Sequence, residues 1–317
     1  MSISFQKHLR RYGPGRDKGK VSLAEARSYC RHLALTHYEN FSVASVLLPR
    51  RLLRHFHNIY AYCRWADDLG DETGGGDQAL DLLDWWREEL LTCYGGRPNH
   101  PVMIALQETI DEFEIPAQPF LDLLSAFEQD QRVKAYDSYN QLLDYCRRSA
   151  NPVGRLILYL GGCFDTRRAA LSDDICTALQ LTNFWQDIGR DLDMGRIYLP
   201  LEDFVRFGYS LEELRSRRFT PAFANMLSFQ VQRTRSLFER GAPLIELMPE
   251  DLQVDVELFL RGGLSVLDRI EAQQFNVLRS RPKLGKAAKA ELLLRTVLGR
   301  WWRNAGRIAG SKAGSTR

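Results

Sequence analysis

Apolar residues recur at helical spacing along most of the chain, and the strict alternation of half-buried strands is missing. Between Leu52 and Glu72, the residues Ile59, Tyr62, Trp65, Ala66 and Leu69 gather on one side. Tyr60, Arg64, Asp67 and Asp71 form a narrow stripe on another. Pro49 opens this helix and Gly74-Gly75-Gly76 closes it. Ser22-Leu-Ala-Glu25 and Ser210-Leu-Glu-Glu213 are capping boxes, in which a hydroxyl and a carboxylate satisfy amides that a helix start leaves open. Further helices are predicted near 77–94, 100–114, 119–130, 138–164 with a break at Asn151-Pro152, 172–193, 210–217, 221–246, 250–278 and 283–306. No fixed-period repeat or low-complexity linker divides them. The pattern predicts one all-α domain over 21–306, preceded by a basic N-terminal extension (1–20) and followed by a flexible basic tail (307–317).

Composition narrows the class. With 44% hydrophobic and 11% aromatic residues, 317 positions suffice for a large core. The six cysteines, Cys30, Cys63, Cys93, Cys146, Cys163 and Cys176, show no C-x-x-C pair and no partnering histidine pattern. They read as buried free thiols in a reducing cytosol rather than a zinc site or a disulfide framework. Met1–Lys20 lacks the apolar stretch of a secretory signal, and no run reaches the ~18 apolar residues of a membrane span. A cytoplasmic protein is expected.

Charge is unevenly spread. Arg279–Arg317 holds eleven Lys/Arg against Glu291 alone, so that segment carries +10 and leaves −7 for the remainder of a +3 chain. With Trp301 and Trp302 nearby, it suits peripheral docking on an anionic inner membrane face. A solvated, frayed helix end is the plainer reading. A nucleic-acid partner is not expected.

The chemistry lies in two acidic stripes. Positions four apart on a helix sit within ~40° and ~6 Å of each other, so Asp67 and Asp71 share a face with Arg64. Two like charges at that spacing cost a few tenths of a kcal/mol in an isolated helix, which a cation offsets. The helix Ile175–Leu192 repeats the device as Asn183, Asp187 and Asp191, with Leu181, Phe184, Trp185, Ile188 and Leu192 on a different arc. Two such stripes suggest facing walls of one cavity. Carboxylates with one amide oxygen suit Mg²⁺, or Mn²⁺ in its place, which keeps waters and takes phosphate oxygens. Metal ions neutralise a diphosphate leaving group, so its C–O bond can ionise to a carbocation. Arg64 adds positive charge for the phosphate oxygens. The loop Gly195-Arg196-Ile197-Tyr198-Leu199-Pro200 brings Arg196 and Tyr198 close to the second stripe.

Tyr60-Ala-Tyr-Cys-Arg-Trp-Ala-Asp-Asp-Leu-Gly-Asp71 and Ala178-Leu-Gln-Leu-Thr-Asn-Phe-Trp-Gln-Asp-Ile-Gly-Arg-Asp191 resemble the two aspartate-rich motifs of the squalene/phytoene synthase family. Gly195–Pro200 is similar to the segment that follows them there. The resemblance implies an all-α, single-domain isoprenoid-synthase helical bundle around a deep apolar cavity. It implies Asp67, Asp71, Asn183, Asp187 and Asp191 as metal ligands and Arg64 as a diphosphate contact. Tyr145, matching a tyrosine that the family places before its small-residue helix break, is implied to assist proton transfer or cation handling. Phe41, Tyr60 and Phe184 are candidate aromatic faces for the cation. Ser42, Gly154, Arg196 and Tyr198 complete the expected substrate contacts, with Ala150, Gly154, Gly161 and Gly162 leaving room for two prenyl tails.

The chain departs from the family at Val46, where an arginine is usual, and at Asn151-Pro152 in the helix break. Losing one arginine fits a site that handles a single diphosphate. His37–Ser45 and Arg147–Gly154 resemble the bacterial hydroxysqualene synthase branch of the hopanoid pathway. That resemblance implies presqualene diphosphate as substrate and water as quencher, with no NADPH. Asn151 is a candidate for activating the water by position only. The alternatives are condensation of two prenyl diphosphates to presqualene diphosphate, squalene or phytoene/dehydrosqualene, and a non-catalytic helical membrane-docking scaffold.

Overall fold

The computed structural model describes residues 5–16, 19–36, 48–285, 288, 290–294 and 296. Phe41, Ser42 and Val46, the stretch His37–Ser45, and the tail with Trp301 and Trp302 lie outside the described residues. Among the described residues, fourteen helices between Phe5 and Ala272 form one all-α domain.

The first six are α1 (Phe5–Tyr12), α2 (Leu23–Thr36), α3 (Arg50–Asp71), α4 (Gly76–Tyr94), α5 (Pro101–Phe113) and α6 (Gln118–Arg132). Then come α7 (Tyr139–Ser149), α8 (Asn151–Leu160), α9 (Thr166–Asp193), α10 (Leu201–Phe207), α11 (Leu211–Arg215), α12 (Pro221–Gly241), α13 (Leu244–Leu247) and α14 (Glu250–Ala272). Both capping boxes form as read: Ser22 N donates to Glu25 Oε2 at 2.9 Å, and Ser210 N to Glu213 Oε2 at 3.0 Å.

Boundaries shift where a local signal went unread. The helix expected from 172 starts at Thr166, because the Asp165 carboxylate caps it through Arg168 N at 2.7 Å. The 221–246 stretch divides at Pro243, which cannot continue a helix. The 250–278 stretch ends at Ala272, followed by left-handed Gln274 and Phe275. Pro200 opens α10, a helix the pattern did not predict. Part of the presumed N-terminal extension is helix α1, and Phe5 packs edge-on against Trp65 with centroids 5.0 Å apart.

Helix α3 is surrounded by α2, α4, α5 and α6, while α9 is surrounded by α7, α8, α12 and α14. Helix α6 packs on α3, and both α7 and α8 pack on α6 and α9. The two motif helices are therefore held apart across intervening helices. Their apolar arcs do the packing: Tyr62, Trp65, Ala66, Leu69, Leu181 and Trp185 are buried, and Trp65 stacks on Trp86 at 5.2 Å. The six cysteines are free, with Cys30, Cys93 and Cys146 buried. Among the described residues no helix is long and apolar enough to cross a membrane.

Candidate active site

On α3, Arg64 is held on its own helix. Its Nε donates to Asp68 Oδ2 at 3.0 Å, its Nη2 to Asp68 Oδ1, and its Nη1 to Asp67 Oδ2 at 3.3 Å. Asp68 is buried, and burial raises its pKa to about 7 despite the guanidinium. Asp68, which the sequence did not single out although it lies one turn from Arg64, is the neighbour that fixes it. Asp67 is only half-buried, yet desolvation and the charge of Asp71 push it up to about 6.

The loop after α9 is placed by backbone bonds. Gly195, with φ 70°, turns the chain, and Arg196 N donates to Asp191 O at 2.7 Å. Ile197 N then bonds Lys134 O at 2.7 Å, and Leu201 N bonds Tyr136 O at 2.9 Å. These bonds pin the loop to the α6–α7 connection, each contributing roughly 1 kcal/mol. Arg196 is thereby set between the motifs. Its Nη2 lies 3.4 Å from Asp71 Oδ1, and its charge also acts on Asp67, Asp130 and Asp191. One guanidinium thus sits in the field of carboxyls from α3, α6 and α9.

Asp130, which the sequence did not single out, belongs to this group. It accepts a 2.9 Å hydrogen bond from the Tyr145 hydroxyl, and burial raises it to about 6. Tyr145 is buried, and desolvation beside Asp130 lifts its phenol far above the ordinary range. Phe184 and Tyr198 stack with centroids 3.8 Å apart and planes 7° from parallel. Tyr136 stacks on the Tyr198 ring at 5.9 Å. The result is an aromatic wall beside the carboxylates. A small pocket at its foot is lined by Phe184, Asp191, Arg196 and Tyr198.

On α9, Asp191 is 9% exposed and is raised to about 7 by desolvation and by Asp187. Asp187 is bound by Arg281, from the segment after α14. That basic segment was read as tail or membrane contact, and the inward turn of Arg281 carries no periodic signal. Asn183, one turn before Asp187, is exposed. Among the described residues no three acidic, histidine or cysteine side chains converge on a single point. Protein ligands alone therefore do not complete a coordination sphere. The donors on the stripes are nonetheless all oxygens, as Mg²⁺ prefers, and waters and phosphate oxygens would supply the rest.

Four of the expected positions are placed differently. An added Cβ on Gly154 would lie 2.2 Å from Ser172 Oγ and 2.6 Å from Cys176 Sγ, so this glycine lets α8 press on α9 rather than leaving room for a tail. A Cβ on Gly161 would meet Leu252 Cδ1 at 2.9 Å, and Gly162, at φ 62°, ends α8 in a left-handed turn. Asn151 is buried and accepts from Thr177 Oγ1 at 2.9 Å, a tie between α8 and α9 that uses one of the two lone pairs of its amide oxygen. Tyr60 is half-buried on the α3 stripe, as expected.

The squalene/phytoene synthase family model matches residues 22–288, which includes both stripes, Asp130 and Arg281. The chain belongs to this family. Squalene synthase HpnC from Alicyclobacillus acidocaldarius is similar at 44% identity and a TM-score of 0.78, covering 81% of this chain and 97% of that one. A dehydrosqualene synthase solved with a ligand is similar at 26% identity and a TM-score of 0.79, covering 89% and 98%. The 15-cis-phytoene synthase of Synechocystis sp. is 30% identical, over 82% of this chain and 81% of its own length. Family membership makes the protein an enzyme of isoprenoid biosynthesis.

Proposed function

We propose that the protein is a hydroxysqualene synthase, converting presqualene diphosphate and water to hydroxysqualene and diphosphate. The observation that carries the ionising half of this reading is Arg196, set among the carboxyls of α3, α6 and α9. Asp67, Asp71, Asn183, Asp187 and Asp191 would hold Mg²⁺, which supplies the charge that lets a diphosphate depart. Arg64 and Arg196 contribute fixed positive charge where the phosphate oxygens lie. The substrate C–O bond breaks with its electron pair on the leaving oxygen. Phe184, Tyr198 and Tyr60 offer ring faces to the cyclopropylcarbinyl cation, each worth roughly 0.5–2 kcal/mol. Water adds to the rearranged cation and loses one proton. No reductant is consumed.

The choice of branch is supported by the likeness at Arg147–Gly154; the relatives are named squalene, dehydrosqualene and phytoene synthases, at 44%, 26% and 30% identity. Condensation of two prenyl diphosphates is the second reading, favoured by the names of those relatives. Purified protein with Mg²⁺ should form hydroxysqualene from presqualene diphosphate, with ¹⁸O entering from labelled water. Farnesyl diphosphate alone should yield nothing. Squalene, dehydrosqualene or phytoene from unrearranged prenyl diphosphates would replace this assignment with the second reading.

The basic segment from Arg279 onward further suggests that the enzyme works against an anionic membrane surface. Co-sedimentation with anionic vesicles, lost on removing 297–317 or on raising salt, tests that contact.

A further inference from the structure

The second aspartate stripe already has a cation of its own. Arg281 donates through Nε and Nη2 to the two carboxylate oxygens of Asp187, with Nη2 to Oδ2 at 2.7 Å. The same Nη2 reaches Gln186 Oε1 at 3.1 Å. Gln186 is buried and donates from Nε2 to the carbonyl of Pro282. Residues 281 and 282 are thus tied, by side chain and by backbone, to two successive residues of α9. The segment leading to them is seated as well. The left-handed pair Gln274 and Phe275 turns the chain after α14, and Val277 and Leu278 are buried.

A carboxylate gripped by a guanidinium fork has the lone pairs facing that fork in use. A divalent cation arriving at the same carboxylate would meet a fixed positive charge a few ångströms away. In a half-buried cleft that repulsion is weakly screened. One of the two cations must give way.

We propose that Arg281 is a positioning residue that competes with the divalent metal for Asp187, so that metal binding and release of the Arg281 guanidinium from Asp187 are one event. The proposal rests on the reading of Asp187 as a metal ligand. In the metal-free chain the guanidinium balances Asp187 and holds the 281–282 strap across the end of α9. On metal binding the strap loses its grip on Asp187 and is held to α9 only through Gln186, by the bonds to Arg281 and Pro282.

The test uses the full chain without substrate and Mn²⁺ as the probe, read by loss of the free-ion electron paramagnetic resonance signal. Arg281→Gln should bind Mn²⁺ about tenfold tighter than wild type, inside the 5–150-fold usual for coupled sites. Arg281→Lys, which keeps the charge and loses the fork, should fall between them. Gln186→Leu removes both Gln186 bonds to the strap and leaves Arg281 held by Asp187 alone, so the metal displaces it more easily and binding should also tighten; it carries the test if Arg281→Gln does not fold. Unchanged or weaker Mn²⁺ binding by these variants, beside normal binding by wild type, overturns the proposal and leaves the functional reading standing. Absence of Mn²⁺ binding by wild type and variants alike, with Asp187→Asn indistinguishable, overturns both.

Discussion

The Tyr145 hydroxyl donates a 2.9 Å hydrogen bond to Oδ2 of Asp130, joining α7 to α6 beside the Phe184–Tyr198 stack. Burial raises the pKa of both groups, so each disfavours its own ionised form and the phenol keeps its proton. Such a pair can hold or accept a proton next to a cation without placing a bare charge in an apolar wall. Tyr145→Phe should therefore lower kcat by about 10²-fold, the lower end for a positioned acid–base group, with little change in KM. The circular dichroism spectrum and Tm should stay near wild type. Steady-state kinetics on the diphosphate substrate gives the answer, and an unchanged kcat would make Tyr145 a packing residue.

Arg64 and Asp68 form a pair whose two halves are unequally replaceable. The Asp68 side chain is 4% exposed and that of Arg64 is 25% exposed. Removing the guanidinium strands a buried carboxylate, a change that typically costs 3–5 kcal/mol. Arg64→Gln should destabilise the fold by about 3 kcal/mol, and Arg64→Gln with Asp68→Asn should recover most of that loss. Asp68→Asn alone should leave a folded enzyme whose KM rises several-fold, because Arg64 loses the fork that aims it. Urea titration and kinetics on the four proteins of this cycle separate the structural share from the substrate share.

Asp67 and Asp187 invite the opposite expectation. Asp67 is pushed up by desolvation and by Asp71, so neutralising it relieves both a burial cost and a repulsion in the metal-free chain. Asp67→Asn and Asp187→Asn should each reduce turnover by at least about 10³-fold, as expected when a charge-stabilising group is lost. Tm without metal should be equal to wild type or higher for Asp67→Asn, and lower for Asp187→Asn, which leaves Arg281 without its partner. Thermal melts with and without Mg²⁺ distinguish the two.

The residues that the sequence revealed are those whose meaning lies within one helix. Tyr60, Arg64, Asp67 and Asp71 repeat at helical spacing, as do Asn183, Asp187 and Asp191, and their arcs of apolar neighbours are buried as the spacing requires. Asp130, Arg281 and the Phe184–Tyr198 stack depend on meetings between separate elements, and no periodicity records them. Arg281 reaches α9 across 94 positions and sits in a run whose composition suggested only a tail. Gly154 shows the same limit from the other side. A small residue in a break can mean space for ligand or close approach of two helices, and only its neighbours Ser172 and Cys176 decide between them.

Gly154→Ala should accordingly destabilise the protein by about 1–3 kcal/mol, the usual range for forced overpacking. Adding Ser172→Ala removes the 2.2 Å approach and leaves the 2.6 Å one to Cys176, so rescue should be partial. Thermal melts of the single and double variants test this. A Gly154→Ala protein of wild-type stability that instead prefers shorter prenyl chains would return the glycine to the cavity lining.

Asp255 on α14 is 4% exposed, and neither of its oxygens has a hydrogen-bond partner among the described residues. Burial raises its pKa from 3.8 to about 7, with its own backbone amide easing the charge only in part. The raised value sets the sign. Between 3.8 and about 7 the folded chain binds a proton that the unfolded chain has released, so stability falls as pH rises through that window. The full shift corresponds to a ceiling of about 4 kcal/mol. An amide keeps part of the cost of burying a polar group, so Asp255→Asn should recover about 1–2 kcal/mol at pH 8. That is a rise of about 2–4 °C in Tm, shrinking toward zero near pH 4. Melting curves of wild type and variant across this range give the comparison directly. A variant that melts below wild type at pH 8 would mean that the carboxylate is ionised and held by a cation, reversing the sign derived from its burial.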